Sequence, residues 1–154
     1  MTNAGSRRVT VILIAIAILL VGYFLVGGAV YYWKERVPHD EAGAISSLSA
    51  LHTMENNYKD EHGSFAASFA QLGIPLGAKL SGDVLTWNGS YCYRIVHVIY
   101  NSADKATDYQ IDSRPSKYQY GSKHSYLMES TGAVHFTVDR RDATGKDPVI
   151  QLPK

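Results

Sequence analysis

The feature that most constrains this chain is a run of 25 residues without a charged side chain, from Val9 to Trp33. As a helix it would extend about 37 Å, enough to cross a hydrocarbon core of about 30 Å. The centre of the run is apolar on every side, which excludes an amphipathic helix lying on a surface. Aromatic residues at its end, Tyr31 to Trp33, are typical of a membrane–water interface. The run therefore predicts a transmembrane helix over 9–33, after an N-terminal tail of residues 1–8.

Cleavage and orientation of this segment are two separate questions. Residues 26–29 are mostly small, as in a signal-peptidase site, but the apolar run is longer than the roughly 7–15 residues usual in signal peptides. Two arginines precede the run and two basic residues closely follow it, so the positive-inside rule gives no decision. The acids from Glu35 onward weakly favour a cytoplasmic N-terminus. We therefore expect an uncleaved anchor with its N-terminus inside the cell, and the alternatives are a cleaved signal and a buried core helix.

Charge and cysteine content limit the partners and the chemistry of the remaining residues, 34–154. The whole chain has a formal net charge of +1, whereas a nucleic-acid-binding domain normally carries a concentrated basic patch. The one cysteine, Cys92, excludes an internal disulfide and a multi-cysteine metal site. We therefore expect one near-neutral globular ectodomain that binds no nucleic acid.

The first part of this ectodomain is predicted to be helical. Pro38 should kink or break the chain near Val37, since proline disturbs the preceding helical turn. His39 and the acids after it can begin a second helix, from about 40 to 62, which Gly63 ends. Apolar residues recur along that helix at spacings of three and four, which predicts the face that packs on a sheet. They are Ile45, Leu48, Leu51, Met54 and Tyr58.

A loop over 63–83 is predicted to lead to antiparallel strands over about 84–138 and a polar tail over 139–154. Asn88-Gly89 between two apolar runs predicts a hairpin with a type I′ turn, and the turn residues 130–132 predict a second. The predicted strands are Val84–Trp87, 90–100, a short or extended Tyr118–Tyr120, Tyr126–Glu129 and Val134–Val138. The fold class is therefore α+β, with a transmembrane helix, a kink, and an amphipathic helix packed on a small antiparallel sheet.

Alternation along the longest predicted strand assigns its side chains to two faces, because successive residues of a strand point to opposite sides. One face should carry Tyr91, Tyr93, Ile95 and Ile99, and the other Cys92, Val96, Val98 and Tyr100.

Several short motifs, in order along the ectodomain, resemble the pilins and pseudopilins. They are Glu41–Leu48 with Tyr58 for the post-membrane half of the long helix, Gly63–Phe65 and Leu72-Gly73 for the loop, and Met128–Val134 and Arg141–Ile150 for the last strands and tail. The resemblance implies a pilin-like fold in the bacterial inner membrane, with a periplasmic or extracellular ectodomain and a link to type IV pilus or type II secretion machinery. The implied partners are the lipid bilayer and pilin or secretion-system subunits, bound through the transmembrane helix and the Tyr-rich ectodomain.

The N-terminus departs from the prepilin pattern. Prepilins carry a basic residue and a glycine before an aromatic-led apolar run, with a glutamate a few residues into it. Here Arg8 is followed by Val9, and the first acid is Glu35. A mature N-terminus at Val9 would place an unpaired amine in an apolar bundle, where a lone charge is costly. We therefore expect residues 1–8 to be retained and the chain to be an accessory or non-polymerising relative.

No catalytic, cofactor-binding or metal-ligating residue is predicted. The six histidines lack the paired spacing of metal ligands, and His97 with His135 would chelate a metal only if their strands were adjacent. Cys92 is expected to be a buried, inert thiol, and its odd separation from His97 should place the two on opposite strand faces. The histidines are His39, His52, His62, His97, His124 and His135.

Other polar and aromatic groups have ordinary explanations beside a functional one. Three acids at spacings of four, Asp104, Asp108 and Asp112, lack the glycine and the bidentate glutamate of a calcium loop, so we expect solvated loop acids. Arg140-Arg141 should lie in an exposed turn, with a phosphate or a neighbouring subunit as the alternative contact. Seven tyrosines between Tyr91 and Tyr126 are expected to lie in the core or on the sheet surface, with an interaction face as the alternative.

These expectations favour a structural and interaction protein of the pilin-like or pseudopilin-like class, which is not an enzyme. The alternative is a non-polymerising single-pass membrane protein whose ectodomain acts as a sensor, adaptor or binding module. A membrane-tethered hydrolase would need a nucleophile, a base and an orienting group, and the sequence offers no such set.

Overall fold

The structure, a computed structural model, describes residues 4–31, 34, 37–87, 91–116 and 124–151. It divides into two compact units, Met1–Arg36 and Val37–Lys154. The first contains helix α1 (Ala4–Tyr31), in which Val11–Tyr31 is long and apolar enough to cross a membrane, and every side chain of that stretch is exposed. Residues 4–8 of the predicted tail are helical, because alanine and arginine favour the helix that follows.

Helix α2 (Val37–His62) opens the second unit. It begins three residues earlier than predicted, because Pro38 lies in its first turn, where a missing backbone N–H breaks no helical hydrogen bond. The predicted kink near Val37 adjoins residues 32–36, of which only Lys34 is described, so it stays a prediction. The helix ends at His62 as predicted, and Gly63 takes the positive φ of 70° that ends many helices.

The buried face of α2 differs from the predicted stripe. Steps of three residues turn about 60° short of a full circle, so Ile45 and Met54 lie on opposite flanks of the core and are only partly buried. Tyr58 is half-buried and stacks on His62, with ring centroids 4.0 Å apart. The fully buried row instead follows positions that stay on one side of the helix, namely Ala44, Ser47, Leu48, Leu51 and Glu55.

Within the described residues, seven strands follow and form one antiparallel sheet. Their order across the sheet is their order along the chain. The short helix α3 (Phe69–Leu72) precedes it. The strands are β1 (Lys79–Ser81), β2 (Val84–Trp87), β3 (Tyr91–Tyr100), β4 (Ala106–Pro115), β5 (Ser125–Glu129), β6 (Ala133–Thr137) and β7 (Val149–Gln151). The predicted α+β class with an antiparallel sheet is thus confirmed, as are both predicted hairpin pairings.

Four elements lie where none was predicted, the helix α3 and the strands β1, β4 and β7. The predicted loop 63–83 contains α3 and β1, because Gly82 and Asp83 form a two-residue hairpin turn. The predicted polar tail contains β7, whose Val149 and Ile150 pair with β6. Strand β4 had no predicted counterpart, although Tyr109 and Ile111 alternate with polar residues as strands do. The predicted turn at Asn88-Gly89 and the segment Tyr118–Tyr120 lie outside the described residues.

A register shift in β3 changes the predicted faces of that strand. Ile95 lies opposite Ile111, but His97 lies opposite Gln110, so Val96 is the extra residue of a β-bulge. Val98 therefore returns to the core face with Ile95, whereas Ile99 is exposed. The prediction that placed Ile99 on the tyrosine face and Val98 on the other is wrong, because strict alternation does not survive a bulge.

One face of the sheet shares a core with α2 and α3. The buried residues of this core are Ala44, Leu48, Leu51, Phe65, Phe69, Leu85, Tyr91, Tyr93, Ala106, Tyr109, Ile111, Tyr126, Met128 and Val134. The segment after β6 lies on the opposite face, where Asp142 pairs with Arg114 and Ala143 is buried.

Candidate functional site

The most unusual group in the core is a carboxyl. Glu55 occupies the buried row of α2 one turn after Leu51, and 0% of its surface is exposed. The Ala66 backbone N–H donates to Oε2 at 2.9 Å, whereas Oε1 has no hydrogen-bond partner among the described residues. Burial raises the pKa of Glu55 to about 7, and the Ala66 hydrogen bond only partly opposes that rise. A carboxyl in this position changes its charge near neutral pH.

His52 and Tyr109 continue the polar cluster from α2 to β4. The Asn56 amide donates to Nε2 of His52 at 3.1 Å, which leaves the Nδ1 proton for the Tyr109 hydroxyl at 2.8 Å. Burial lowers the pKa of His52. Burial, then the charges of Glu55 and Asp108, raise the pKa of Tyr109. The imidazole and the phenol are therefore held neutral beside the carboxyl.

The turn between β5 and β6 closes over this cluster. Gly132 has a φ of 81°, and a Cβ built on it would lie 3.3 Å from Nε2 of His52. A side chain there would be strained by its backbone and would crowd the imidazole. The hydroxyl of the neighbouring Ser130 donates to Asp108, so it is not presented to His52 as a nucleophile. The cluster of Glu55, His52 and Tyr109 can hold or release a proton, but it lacks a nucleophile–base pair.

A second polar contact joins the start of α2 to the start of β5. His124 Nδ1 lies 2.5 Å from Glu41 Oε1, and the imidazole packs edge-on against the Phe136 ring at 5.6 Å. Both side chains are mostly buried. This contact fastens the N-terminal part of α2 to the sheet, far along the helix from Glu55.

Charged residues on the opposite face of the sheet tie the C-terminal segment down. Arg114 Nε lies 2.7 Å from Asp112 and 3.0 Å from Asp142. Burial raises the pKa of Asp112, and the guanidinium of Arg114 opposes that rise. His135 contacts Glu129 at 3.3 Å and the Asp147 carbonyl at 3.0 Å. A cavity of about 300 Å³ beside these pairs is lined by Val84, Cys92, Tyr93, Arg94, Asp112, Arg114, Pro115 and Ser116.

The structure separates the histidines that could have shared a metal. His97 lies on β3 and His135 on β6, with β4 and β5 between them, so these two cannot chelate one ion. His39 and His62 are exposed at the two ends of α2. Within the described residues, no three histidine, cysteine, aspartate or glutamate side chains are grouped as metal ligands.

Cys92 is half-buried on the face of β3 that lies away from α2. The bulge at Val96 brings His97 to this same face, so the predicted opposite orientation is wrong. The two residues remain five positions apart along one strand, roughly 16 Å at 3.3 Å per residue. No Cys–His pair forms.

The three acids are not all solvated loop residues. Asp108 and Asp112 lie on β4, and Asp112 is buried beneath Arg114. Asp104 does lie in the exposed turn before β4, with a φ of 54°. The loop prediction for Asp108 and Asp112 is wrong because the pattern of β4 was not recognised. Arg140 and Arg141 are exposed, as predicted, beyond the end of β6.

The arginines and tyrosines form mainly internal contacts. Arg141 binds Asp147 with N–O distances of 2.5 and 2.9 Å, and this pairing lowers the pKa of Asp147. Tyr100 is the exposed member among the described tyrosines of β3 to β5, whereas Tyr118 and Tyr120 lie outside the described residues. The buried tyrosines are Tyr91, Tyr93, Tyr109 and Tyr126.

No protein-family model, curated protein or solved structure matches this chain. The resemblance to pilins and pseudopilins therefore rests on the quoted motifs alone.

Proposed function

We propose that this chain is a single-pass membrane protein of the pilin-like or pseudopilin-like class, with a structural and interaction role. The observation that carries the proposal is α1, whose described side chains from Val11 to Tyr31 are apolar and exposed. Exposing such a helix to water is costly, and lipid removes that cost. The unit from Val37 onward has its own core and serves as the ectodomain.

A structural role rather than catalysis agrees with how the polar side chains of the ectodomain are used. His52, Arg114 and Arg141 are each bound to residues of the same chain. Their contacts hold α2 and the C-terminal segment on the sheet. Recognition of partners then falls to α1 and to the exposed parts of the sheet.

The proposed setting is the bacterial inner membrane, with the N-terminus in the cytoplasm and the ectodomain periplasmic or extracellular. The apolar surface of α1 would pack against the helices of pilin or secretion-system subunits. A helix followed by an antiparallel sheet is the order that the pilin resemblance implies, and this order supports the assignment to pilus or type II secretion machinery.

Alkaline carbonate washing of bacterial membranes tests the anchor. The full chain should stay in the pellet and be released only by detergent. A matched variant with Ile16→Lys and Leu20→Lys should lose much of this resistance, because each central lysine costs about 2.5–3.5 kcal/mol in membrane insertion. Release of the unaltered chain by carbonate would contradict the proposal, and a soluble species beginning near Val30 would show a cleaved signal.

A second candidate is a non-polymerising anchor whose ectodomain acts as a sensor, adaptor or binding module. The absence of a carboxylate between Val9 and Lys34 favours it, because a processed N-terminal amine would have no counter-charge in a bundle of such helices. The intact mass of the protein distinguishes a chain that retains residues 1–8 from a chain that has been processed at Val9. A species near 17.0 kDa supports retention of residues 1–8, whereas a shortened chain with a methylated Val9 contradicts it.

Assembly itself is tested on sheared surface material. Filaments labelled along their length by an antibody against the ectodomain would support a polymerising pilin. Antigen confined to the membrane fraction would support the non-polymerising candidate.

A further inference from the structure

Strand β3 is much longer than one of its two neighbours. β4 pairs with it from Tyr91 to Tyr100, whereas β2 pairs only at Tyr91 to Tyr93. Beyond the β1–β2 hairpin turn, residues 96–100 therefore have a strand on one side only within the described part of the chain. We call residues 96–100 the open edge of β3.

The open edge has the composition of a surface that accepts another strand. Backbone N–H and C=O groups of an edge strand are free to pair with an extended segment. Val96, Ile99 and Tyr100 are 46%, 43% and 52% exposed, and residues 95–100 include no lysine, arginine, aspartate or glutamate. By contrast, β1 at the sheet's outer edge has three residues and carries Lys79, a common protection against such pairing.

We propose that two copies of this chain pair antiparallel through the open edge of β3, about a two-fold axis at Val98. The centre of a five-residue edge is its third residue, and a two-fold arrangement places His97 of each copy opposite Ile99 of the other. The part of the edge between the two register shifts is His97 to Ile99, so the regular ladder centres on the same residue. Val96 then lies opposite Tyr100, which covers two exposed apolar side chains.

The occupant is a second copy because the edge is complementary to itself. An uncharged edge offers no attraction to a charged partner, and antiparallel pairing with its own sequence places apolar groups against apolar groups. The bulge at Val96 limits the ladder to a few residues. The area that two such edges bury is therefore far below the roughly 1,200 Å² that stable interfaces bury. The pairing therefore rests on the proposed function, in which α1 confines both copies to one membrane and raises their effective concentration.

Disulfide cross-linking in membrane vesicles tests the arrangement and its register. Two full-length variants, His97→Cys and Ile99→Cys, are made with Cys92→Ser and carry tags of different size. In the proposed register the mixed pair has Cα atoms about 5 Å apart, whereas like pairs are about 8 Å apart. A disulfide needs less than about 7 Å, so oxidation should give at least fivefold more mixed dimer than either like dimer.

Val138→Cys, an exposed position away from the edge, gives the level of chance collision. Mixed-dimer yield equal to that level, or equal yields for mixed and like pairs, would overturn the proposal. Unchanged thermal unfolding of each variant shows that its fold is retained, and both substituted side chains are exposed.

The same vesicles are washed with carbonate to separate this proposal from the anchor. A chain that resists washing but gives chance-level cross-links contradicts the pairing alone. A chain released by washing contradicts the proposed function, and chance-level cross-links of that released chain then contradict the pairing as well.

Discussion

The two long helices of this chain use their sequences in opposite ways. α1 is apolar on every side, and its side chains are exposed from Val11 to Tyr31. α2 is mostly polar, yet its central row is buried against a sheet and includes the carboxyl of Glu55. The composition of a helix therefore indicates the surroundings that the helix needs. The composition of α1 is that of a helix in apolar surroundings, whereas the buried row of α2 has its apolar partner in the sheet of its own unit.

The largest expected difference between the helices comes from the same substitution made in each. Leu51→Ala removes a side chain with no exposed surface and should lower the free energy of unfolding of the ectodomain by about 2–5 kcal/mol. Leu19→Ala alters a side chain that is 73% exposed and should leave that unfolding unchanged. Denaturant unfolding of the full chain in detergent, followed by near-ultraviolet circular dichroism, measures both. Equal losses of unfolding free energy in the two variants would contradict the assignment of Leu51 to the core and of Leu19 to an exposed surface.

Glu55 provides the next largest effect, through pH. Its pKa rises from 4.5 in the unfolded chain to about 7 in the folded one, so the folded state binds more protons between these values. The contribution of Glu55 to the free energy of unfolding is therefore complete below about pH 4.5. It falls as the pH rises towards 7 and is constant above that pH. The loss should be about 1–3 kcal/mol, since one pKa unit corresponds to about 1.4 kcal/mol. Unfolding measured from pH 5 to pH 8 checks the sign.

Two neutral amides on α2 separate this effect from other titrations. Glu55→Gln should remove most of the slope while still accepting the Ala66 N–H. Glu61→Gln, on an exposed position of the same helix, should retain it. A slope that survives in Glu55→Gln would assign the pH dependence to another group.

The hydrogen bond between His52 and Tyr109 should contribute less. Tyr109→Phe removes the hydroxyl that lies 2.8 Å from the imidazole and should cost about 1 kcal/mol, as expected for one net hydrogen bond. His52 is partly exposed and can bind water instead, which limits the loss. Urea unfolding at pH 8 isolates this effect from Glu55. A loss above about 3 kcal/mol would indicate that the ring, not the hydroxyl contact, was disturbed.

The smallest effect is expected at Glu41, near the N-terminal end of α2. Glu41→Gln weakens the contact with His124 and should lower the free energy of unfolding by at most about 1 kcal/mol, because partly exposed pairs contribute little. Asp60→Asn, on an exposed position near the other end of the helix, serves as the control. Identical unfolding curves for the two variants would mean that this contact does not fasten α2.

Elements with strong local signals could be predicted from the sequence. The end of α2 follows from Gly63, since glycine readily takes the positive φ that ends a helix. Two turn motifs predict the pairing of β2 with β3 and the pairing of β5 with β6. β1 and β7 could not, because three-residue strands carry little periodic signal and are fixed by the neighbour they pair with. Tertiary pairing decides such segments.

The polar cluster was harder to predict than the fold. The predicted buried face of α2 was chosen from apolar residues only. Glu55 was therefore left out, because a carboxyl is normally exposed to water. Projecting α2 at about 100° per residue would have placed Glu55 in line with Leu48 and Leu51. Tyr109, which binds His52 and whose pKa the charge of Glu55 helps to raise, lies on the unpredicted β4, so no sequence pattern could have joined it to α2. The bulge at Val96 likewise has no signal in the alternation that it interrupts.

The order of the strands has a consequence for how the ectodomain folds. Since each strand pairs with the one made just before it, the sheet can grow as successive hairpins while the chain emerges, and such local pairing favours rapid folding. Within the second unit α2 is made first, but the strands that cover Leu51 and Glu55 are made much later. Until β4 has formed, the strands β1 to β3 cover the inner row of α2 only in part, which makes the partly synthesised chain the stage most exposed to misassociation.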